Sequence, residues 1–321
     1  MHEIIKSFAS QFAFSPKIEN ASKLKHYERY IVAGMGGSHL AADLVKILKP
    51  GLDFLVHSDY DLPPIHSKDI NKTLIIASSY SGNTEETITA FEEAGRQDIA
   101  RAAVGVGGKL IQLAKRTGVP YIVLPNTRIQ PRSALGFSTR AILALMKETR
   151  LLRESSKLAK ILKPSSLEVS GKALAKRLRG FVPIVYASRQ NGPIALNWKI
   201  KFNETGKVPA FWNVFPELNH NEMTSFDAAP STKKLSKPFY FIFLEDGGDD
   251  PRLRKRMAIM KKLFTARGLT VQTIELKGKT ELEKIFSSLV LADWAAYYTA
   301  HAYGLDAEEV PLVEEFKKLI R

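Results

Sequence analysis

Short runs of β-branched and other apolar residues alternate along this chain with stretches of helical periodicity. Arg29–Ala33 reads as a strand and Ser38–Leu48 as a helix. Leu52–Val56 and Thr73–Ser78 read as strands, the second apolar enough to be buried, with a helix from about Thr84 to Ala94. Ala102–Val106 reads as a strand, Leu110–Arg116 as a helix and Tyr121–Leu124 as a strand, before a long helix over about Ser133–Leu151. A strand that is followed by a helix pairs with the next strand in parallel. The rhythm therefore predicts an α/β protein with parallel sheets and helices on both faces.

A polar, lysine-rich stretch from Arg153 to Ser166 interrupts the rhythm. Beyond it Pro183–Ala187, Phe239–Leu244 and Thr270–Ile274 read as strands. Pro193–Asn203, Leu253–Ala266, Glu281–Tyr303 and Val310–Leu319 read as helices. The expectation is two tandem α/β domains, residues 1–152 and 153–321, since 321 residues suit two domains of about 100–200 each.

The net charge of +14 fits either nucleic-acid binding through Lys and Arg or a basic surface that draws in small anions. The densest stretch is Arg252-Leu253-Arg254-Lys255-Arg256, then Lys261-Lys262, with Leu253, Met257, Met260, Leu263 and Phe264 at helical spacing. Its basic residues therefore line the solvated face of an amphipathic helix. No aromatic-interleaved basic motif points to nucleic acid. The sequence has no cysteine, which excludes disulfides, thiolate metal ligands and cysteine nucleophiles. The opening Met1-His2-Glu3-Ile4-Ile5-Lys6 lacks the basic and then apolar layout of a signal peptide. No apolar run approaches the roughly 18–20 residues of a membrane span. A cytoplasmic protein with no membrane partner is the expectation.

Open parallel sheets bind ligands outside the carboxyl ends of their strands. Gly34-Met35-Gly36-Gly37-Ser38 follows the first strand, and Ser78-Ser79-Tyr80-Ser81-Gly82-Asn83-Thr84-Glu85-Glu86 follows the third. Glycines let backbone N–H groups approach an anion, and a helix N-terminus adds unpaired donors and partial positive charge. Ser79, Ser81 and Thr84 add three hydroxyls, so the pair of loops reads as a neutral phosphate cradle. Gly34-x-Gly36 also begins a dinucleotide fingerprint, but His39 stands at its third glycine position and the match fails. Asn83 with Glu86 also serves as a plain N-cap and capping box.

These loops resemble the SIS (sugar isomerase) domain family, whose motif Ser-x-Ser-Gly-x-Thr-x-Glu-Thr is close to Ser79-Tyr80-Ser81-Gly82-Asn83-Thr84-Glu85-Glu86-Thr87. The resemblance spans most of residues 29–150. It implies three-layer αβα domains and contact of Gly37, Ser38, Ser79, Ser81 and Thr84 with a sugar phosphate.

In the second half, Ile194, Trp198 and Phe202 recur at helical spacing up to Gly206. Glu204 falls in the last turn, where the helix dipole disfavours a negative charge, which suits a group that accepts a proton. A surface glutamate between Lys201 and Lys207 is the bland alternative. His220 sits in the polar loop Glu217-Leu218-Asn219-His220-Asn221-Glu222. It reads as a loop histidine, with a core histidine or a metal ligand beside Glu217, Glu222 or His301 as alternatives; no metal-ligand spacing supports the last. Arg132 stands at a helix start in Pro131-Arg132-Ser133-Ala134-Leu135-Gly136, a position that favours ligand contact over structural use.

Pro131–Gly136, Lys201–Lys207, Glu217–Glu222 and the end from Asp293-Trp294 to Gly304-Leu305-Asp306 resemble the bifunctional phosphoglucose/phosphomannose isomerase family over nearly the whole chain. The resemblance implies interconversion of glucose 6-phosphate and mannose 6-phosphate with fructose 6-phosphate, without metal or cofactor. It gives Glu204 the proton transfer between C2 and C1 through a cis-enediol. It gives His220 ring opening and Arg132 stabilisation of the enediolate, both also contacting substrate. It implies a homodimer, with the histidine able to come from the second subunit. One departure stands out. Phosphoglucose isomerases carry a ring-opening lysine in the last helix, where Tyr297-Tyr298-Thr299-Ala300-His301-Ala302 has none; His301 either takes that role or is a solvated helix residue. A ketose-amine isomerase, a sugar-phosphate sensor and an isomerase confined to glucose 6-phosphate are the competing readings. Sensors attach a helix-turn-helix for which residues 1–28 are too few, and have no need of Glu204, His220 and Arg132 together.

Overall fold

A computed structural model describes residues 1–320 of the chain. The chain opens with the short helix α1 (His2–Lys6) and divides into two compact units. One is Ser7–Leu162; the other joins Met1–Lys6 to the chain from Lys163 onward. The division thus falls ten residues after the boundary read from the sequence. The stretch from Arg153 to Ser166 is largely helical, its apolar Leu158 and Leu162 being buried.

The Ser7–Leu162 unit has one sheet of β1 (Arg29–Ala33), β2 (Asp53–His57), β3 (Thr73–Ser78), β4 (Ala100–Gly105) and β5 (Tyr121–Val123). All neighbours are parallel, in the order β2-β1-β3-β4-β5. Its helices are α2 (Leu40–Leu48), α3 (Glu85–Arg96), α4 (Gly108–Thr117), α5 (Leu135–Leu145), α6 (Thr149–Ser156) and α7 (Leu158–Ile161). Every residue of β3 is buried, as its unbroken apolar run requires of a central parallel strand. On one face Ala77 and Ala103 pack with Ile88 and Phe91 of α3 and Leu110, Ile111 and Leu113 of α4. Each buried Ile, Leu or Phe side chain among them stabilises by about 1.5–3 kcal/mol.

The long helix read over Ser133–Leu151 is instead two. The chain leaves α5 at Met146, Lys147 takes a left-handed conformation (φ 56°), and α6 begins at Thr149. The Tyr30 hydroxyl donates to the Met146 carbonyl at 3.3 Å. The apolar periodicity continues across the break, which is why the sequence does not reveal it.

The second unit has a four-stranded sheet of β6 (Val182–Ser188), β7 (Phe211–Phe215), β8 (Phe239–Glu245) and β9 (Thr270–Glu275). It is parallel throughout, in the order β7-β6-β8-β9. Its helices beyond α1 are α8 (Glu168–Leu178), α9 (Gly192–Glu204), α10 (Glu222–Ser225), α11 (Lys233–Ser236), α12 (Pro251–Ala266), α13 (Glu281–Ala302) and α14 (Pro311–Leu319). The strand reading passes over β7, a short edge strand with the polar Asn213 at its centre. On one face Tyr186, Phe215, Phe241 and Phe243 pack with Met257, Met260 and Phe264 of α12. The basic residues of α12 lie on its opposite, exposed side, as its periodicity predicts. Among the described residues no helix is long and apolar enough to cross a membrane.

Candidate active site

In the order β2-β1-β3-β4-β5 the chain leaves β1 toward one edge and β3 toward the other, so the switch point lies between them. Such a point opens a crevice at the carboxyl ends of the strands. The two glycine- and serine-rich loops flank it. A Cβ on Gly34 would lie 2.7 Å from the Ser78 carbonyl oxygen, so only glycine allows this approach. The Ser78 hydroxyl donates to the Ser38 carbonyl at 2.9 Å, and the Tyr80 N–H donates to the Ser38 hydroxyl at 3.0 Å. Ser38 therefore joins the two loops. Gly37 meets the turn carrying Arg132: a Cβ there would be 2.5 Å from the Arg132 backbone nitrogen. Arg132 is buried at the start of α5. That start is fixed by the buried Gln11, which accepts from the Gly136 N–H at 2.9 Å and donates to the Ser133 carbonyl at 2.7 Å. Gln11 lies 125 residues before Gly136, and no local pattern marks it.

In the loop after β3, the fully buried Ser79 hydroxyl accepts from the Gly82 N–H at 3.1 Å and pairs with the Thr84 hydroxyl at 2.9 Å. Ser81 is exposed. Thr84, not Asn83, is the N-cap of α3, and its hydroxyl makes no cap bond. Asn83 instead accepts from the Lys109 N–H at 3.0 Å, tying the loop to α4. The capping-box alternative is thus not the arrangement found. The first N–H groups of α3 have no side-chain cap and can serve an anion. Gly82 (φ 74°) has no room for a side chain, since a Cβ would lie 1.8 Å from the Gly107 carbonyl oxygen.

The second sheet has its own switch point, between β6 and β8, and side chains fill it. Asn191 donates to Ser188 at 3.1 Å and to Asp246 and Asp249 at 3.3 Å each. Lys284 donates to Asp246 at 2.8 Å. Burial pushes the Asp246 carboxyl up, but the Lys284 ammonium and the Gly248 N–H outweigh it and hold it below the usual range. Burial pushes Asp249 up. Two carboxylates against one lysine leave no anion cradle there, so within each unit taken by itself the neutral cradle belongs to the first.

Glu204 ends α9 and is half-buried. The Lys207 ammonium donates to the Glu204 carbonyl at 2.5 Å and also to the Glu309 carbonyl. Because β6 and β7 are parallel, α9 runs back along the sheet, carrying Glu204 about 20 Å from its own N-terminus. His220 follows β7 and stays at the carboxyl edge. Within this unit Glu204 and His220 therefore lie at opposite edges of the sheet. The His220 loop is held by Glu222, which accepts from the Tyr186 hydroxyl and from Asn213. Tyr186 sits mid-strand in an apolar core, and nothing local in the sequence marks it as a partner. His301, near the end of α13, is exposed and lines a cleft with His2, Tyr297, Asp306 and Glu308. α13 also runs back along its sheet, so His301 lies at the same edge as Glu204. Among the described residues no three His, Cys, Asp or Glu side chains converge as a metal site requires.

The family model described as the bacterial phospho-glucose isomerase C-terminal SIS domain matches residues 168–320. The bifunctional phosphoglucose/phosphomannose isomerase of Aquifex aeolicus is 30% identical over 325 residues, covering 100% of this chain and 98% of that protein. This chain belongs to the bifunctional phosphoglucose/phosphomannose isomerase family. The family member from Caldicellulosiruptor bescii is 34% identical over 92% of this chain and 90% of its own length. Among solved structures, the tagatose-6-phosphate ketose/aldose isomerase of Escherichia coli has a TM-score of 0.68 at 16% identity, over 96% of this chain and 89% of that one. At that identity it shows the shared fold alone. The fold is two αβα units, each built on its own parallel sheet with helices on both faces, as the loops and rhythm lead one to expect. The sequence resemblance to the isomerase family is likewise borne out.

Proposed function

We propose that this chain interconverts glucose 6-phosphate and mannose 6-phosphate with fructose 6-phosphate by a cis-enediol mechanism. Full-length relatedness to the bifunctional isomerases carries the reading, and the neutral cradle at the β1/β3 switch point supports it. The phosphate binds Ser38, Ser79, Ser81 and Thr84 with the N–H groups of Gly37 and the first turn of α3. The Glu204 carboxylate takes the proton from C2 of the open aldose. As the C2–H bond breaks, its electron pair forms the C1–C2 double bond and the C1 carbonyl becomes an enediolate oxygen. Arg132 supplies fixed positive charge to that oxygen. The proton of the C2 hydroxyl passes to the C1 oxygen. Return of a proton from Glu204 to C1, as the electron pair on the C2 oxygen forms the C2=O bond, leaves the carbonyl at C2. No electron leaves the substrate and the proton is held on Glu204 between C2 and C1, where it can exchange with solvent, so the steps balance without a metal or redox cofactor.

His220 promotes ring opening, and His301 stands where the family resemblance points to a lysine. The opposite-edge placement of Glu204 and His220 within one unit favours a homodimer in which a second copy supplies the histidine. The working form is then a cytoplasmic dimer whose partners are sugar phosphates. A planar enediol can be protonated at C2 from either face. Fructose 6-phosphate incubated with the protein is therefore expected to yield both glucose 6-phosphate and mannose 6-phosphate, resolved by coupled assay or chromatography. A single epimer at long incubation would reduce the function to a one-substrate isomerase, and no aldose at all would favour the sensor reading.

A further inference from the structure

The helix that carries Glu204 meets α13 through two buried polar contacts, and both helices also carry buried apolar residues. Lys201 Nζ donates to Asp293 Oδ1 at 2.6 Å, the residues being only 1% and 5% exposed. One turn earlier Trp198 Nε1 donates to Ser288 Oγ at 2.9 Å, also buried. Ile194, Trp198 and Phe202 of α9 and Leu289, Ala292 and Ala296 of α13 are all buried. Such an interface has ample apolar surface without a charge pair. Replacing a buried ion pair by apolar side chains is often neutral or stabilising, whereas breaking one partner is costly. What a buried pair does supply is a single register, because any slip or rotation pulls the two charges apart in a low-dielectric interior. Glu204 follows Lys201 by three residues, close to one helical turn, and so inherits the register that the pair sets.

We propose that Lys201–Asp293 is a positioning pair for Glu204, fixing α9 on α13 so that the carboxylate meets the C2 proton. The proposal rests on Glu204 being the base. Lys201 is buried and acts through the helix it holds, not by touching substrate. A misplacement of about 1 Å can cost on the order of 10²-fold in rate.

The test is the double variant Lys201→Met/Asp293→Leu, which removes both charges and keeps apolar volume. Its melting temperature is expected within a few degrees of the parent or above it. Its KM for fructose 6-phosphate should stay within about 3-fold, while kcat and C2-proton exchange fall at least about 10-fold. Parent-level kcat would overturn the proposal. Should the double variant not fold, Asp293→Asn and Ser288→Ala are compared well below their melting temperatures. Ser288→Ala loosens the same interface without touching the pair, so Asp293→Asn is expected to lose at least about 10-fold more in kcat. Equal losses in the two would make the pair structural and overturn the proposal. Glu204→Gln measured in parallel separates the two levels: if it keeps exchanging the C2 proton, the reading of the base fails and takes this inference with it. If it loses exchange while the double variant does not, only the positioning role fails.

Discussion

His2 shows how one side chain couples pH to local structure. Hydrogen bonds that its ring donates to Glu168 and then to Glu3 raise its pKa above the ordinary 6.5. Its ring meets Trp294 edge-on at 5.0 Å, so α1 docks on α13 partly through this imidazole. Glu168 also accepts from the Tyr298 hydroxyl, whose pKa is pushed up to about 12 by burial and then by that carboxylate. Because the folded pKa of His2 is raised, its contribution is fully present below pH 6.5 and is lost as pH rises through the higher folded value. NMR titration should place the His2 midpoint above 6.5, falling back toward it in Glu168→Gln. The melting-temperature gap between the parent and His2→Asn should narrow as pH rises. A midpoint unmoved by Glu168→Gln would mean that the carboxylate does not hold the ring.

At the level of the loop after β3, neighbouring serines differ in burial, and the proposed phosphate cradle would divide structural and ligand roles between them. Ser79 is fully buried, and its hydroxyl bonds the Gly82 N–H and the Thr84 hydroxyl, so Ser79→Ala loses both bonds at about 0.5–1.5 kcal/mol each. The Gly82 N–H keeps the Ser79 carbonyl at 3.1 Å, and the variant is expected to lower stability and binding together. Ser81 is exposed, so Ser81→Ala should raise the KM for fructose 6-phosphate several-fold with an unchanged melting temperature. Equal effects of both variants on both quantities would contradict that division. This loop was legible in the sequence because its glycines and hydroxyls are contiguous and follow a strongly apolar strand. The strands β1 and β3 were legible for the same reason. The short strand β7 was not, with polar Asn213 at its centre, and the break at Lys147 was masked by apolar residues on either side. Gln11, Tyr186 and the Asn191–Asp246–Asp249 cluster were invisible because their partners are brought together only by the fold. The location of the cradle at a switch point also waited for the strand order, which the rhythm alone does not give.

For the whole molecule, the placement of Glu204 and His220 at opposite sheet edges of one unit bears on assembly. If a second copy supplies the histidine, Glu204→Gln and His220→Ala proteins are each inactive alone but complement when mixed and allowed to exchange subunits. A random mixture then contains about half mixed dimers, each with one intact site, and recovers about a quarter of parental activity. No recovery despite demonstrated exchange would place both residues of a site on one chain.

The most direct test of the isomerase mechanism follows a single hydrogen. Glucose 6-phosphate is incubated in deuterated water with the parent and with Glu204→Gln, and loss of the C2 proton signal is followed by NMR. The parent should exchange that proton as it isomerises. Glu204→Gln keeps the shape but removes the proposed base, and general-base catalysis is worth roughly 10²–10⁴ in rate, or about 3–5 kcal/mol of barrier. Its exchange and kcat should fall by at least that factor while KM changes little. Exchange in Glu204→Gln at a rate near that of the parent would contradict the account and assign the proton transfer to another residue.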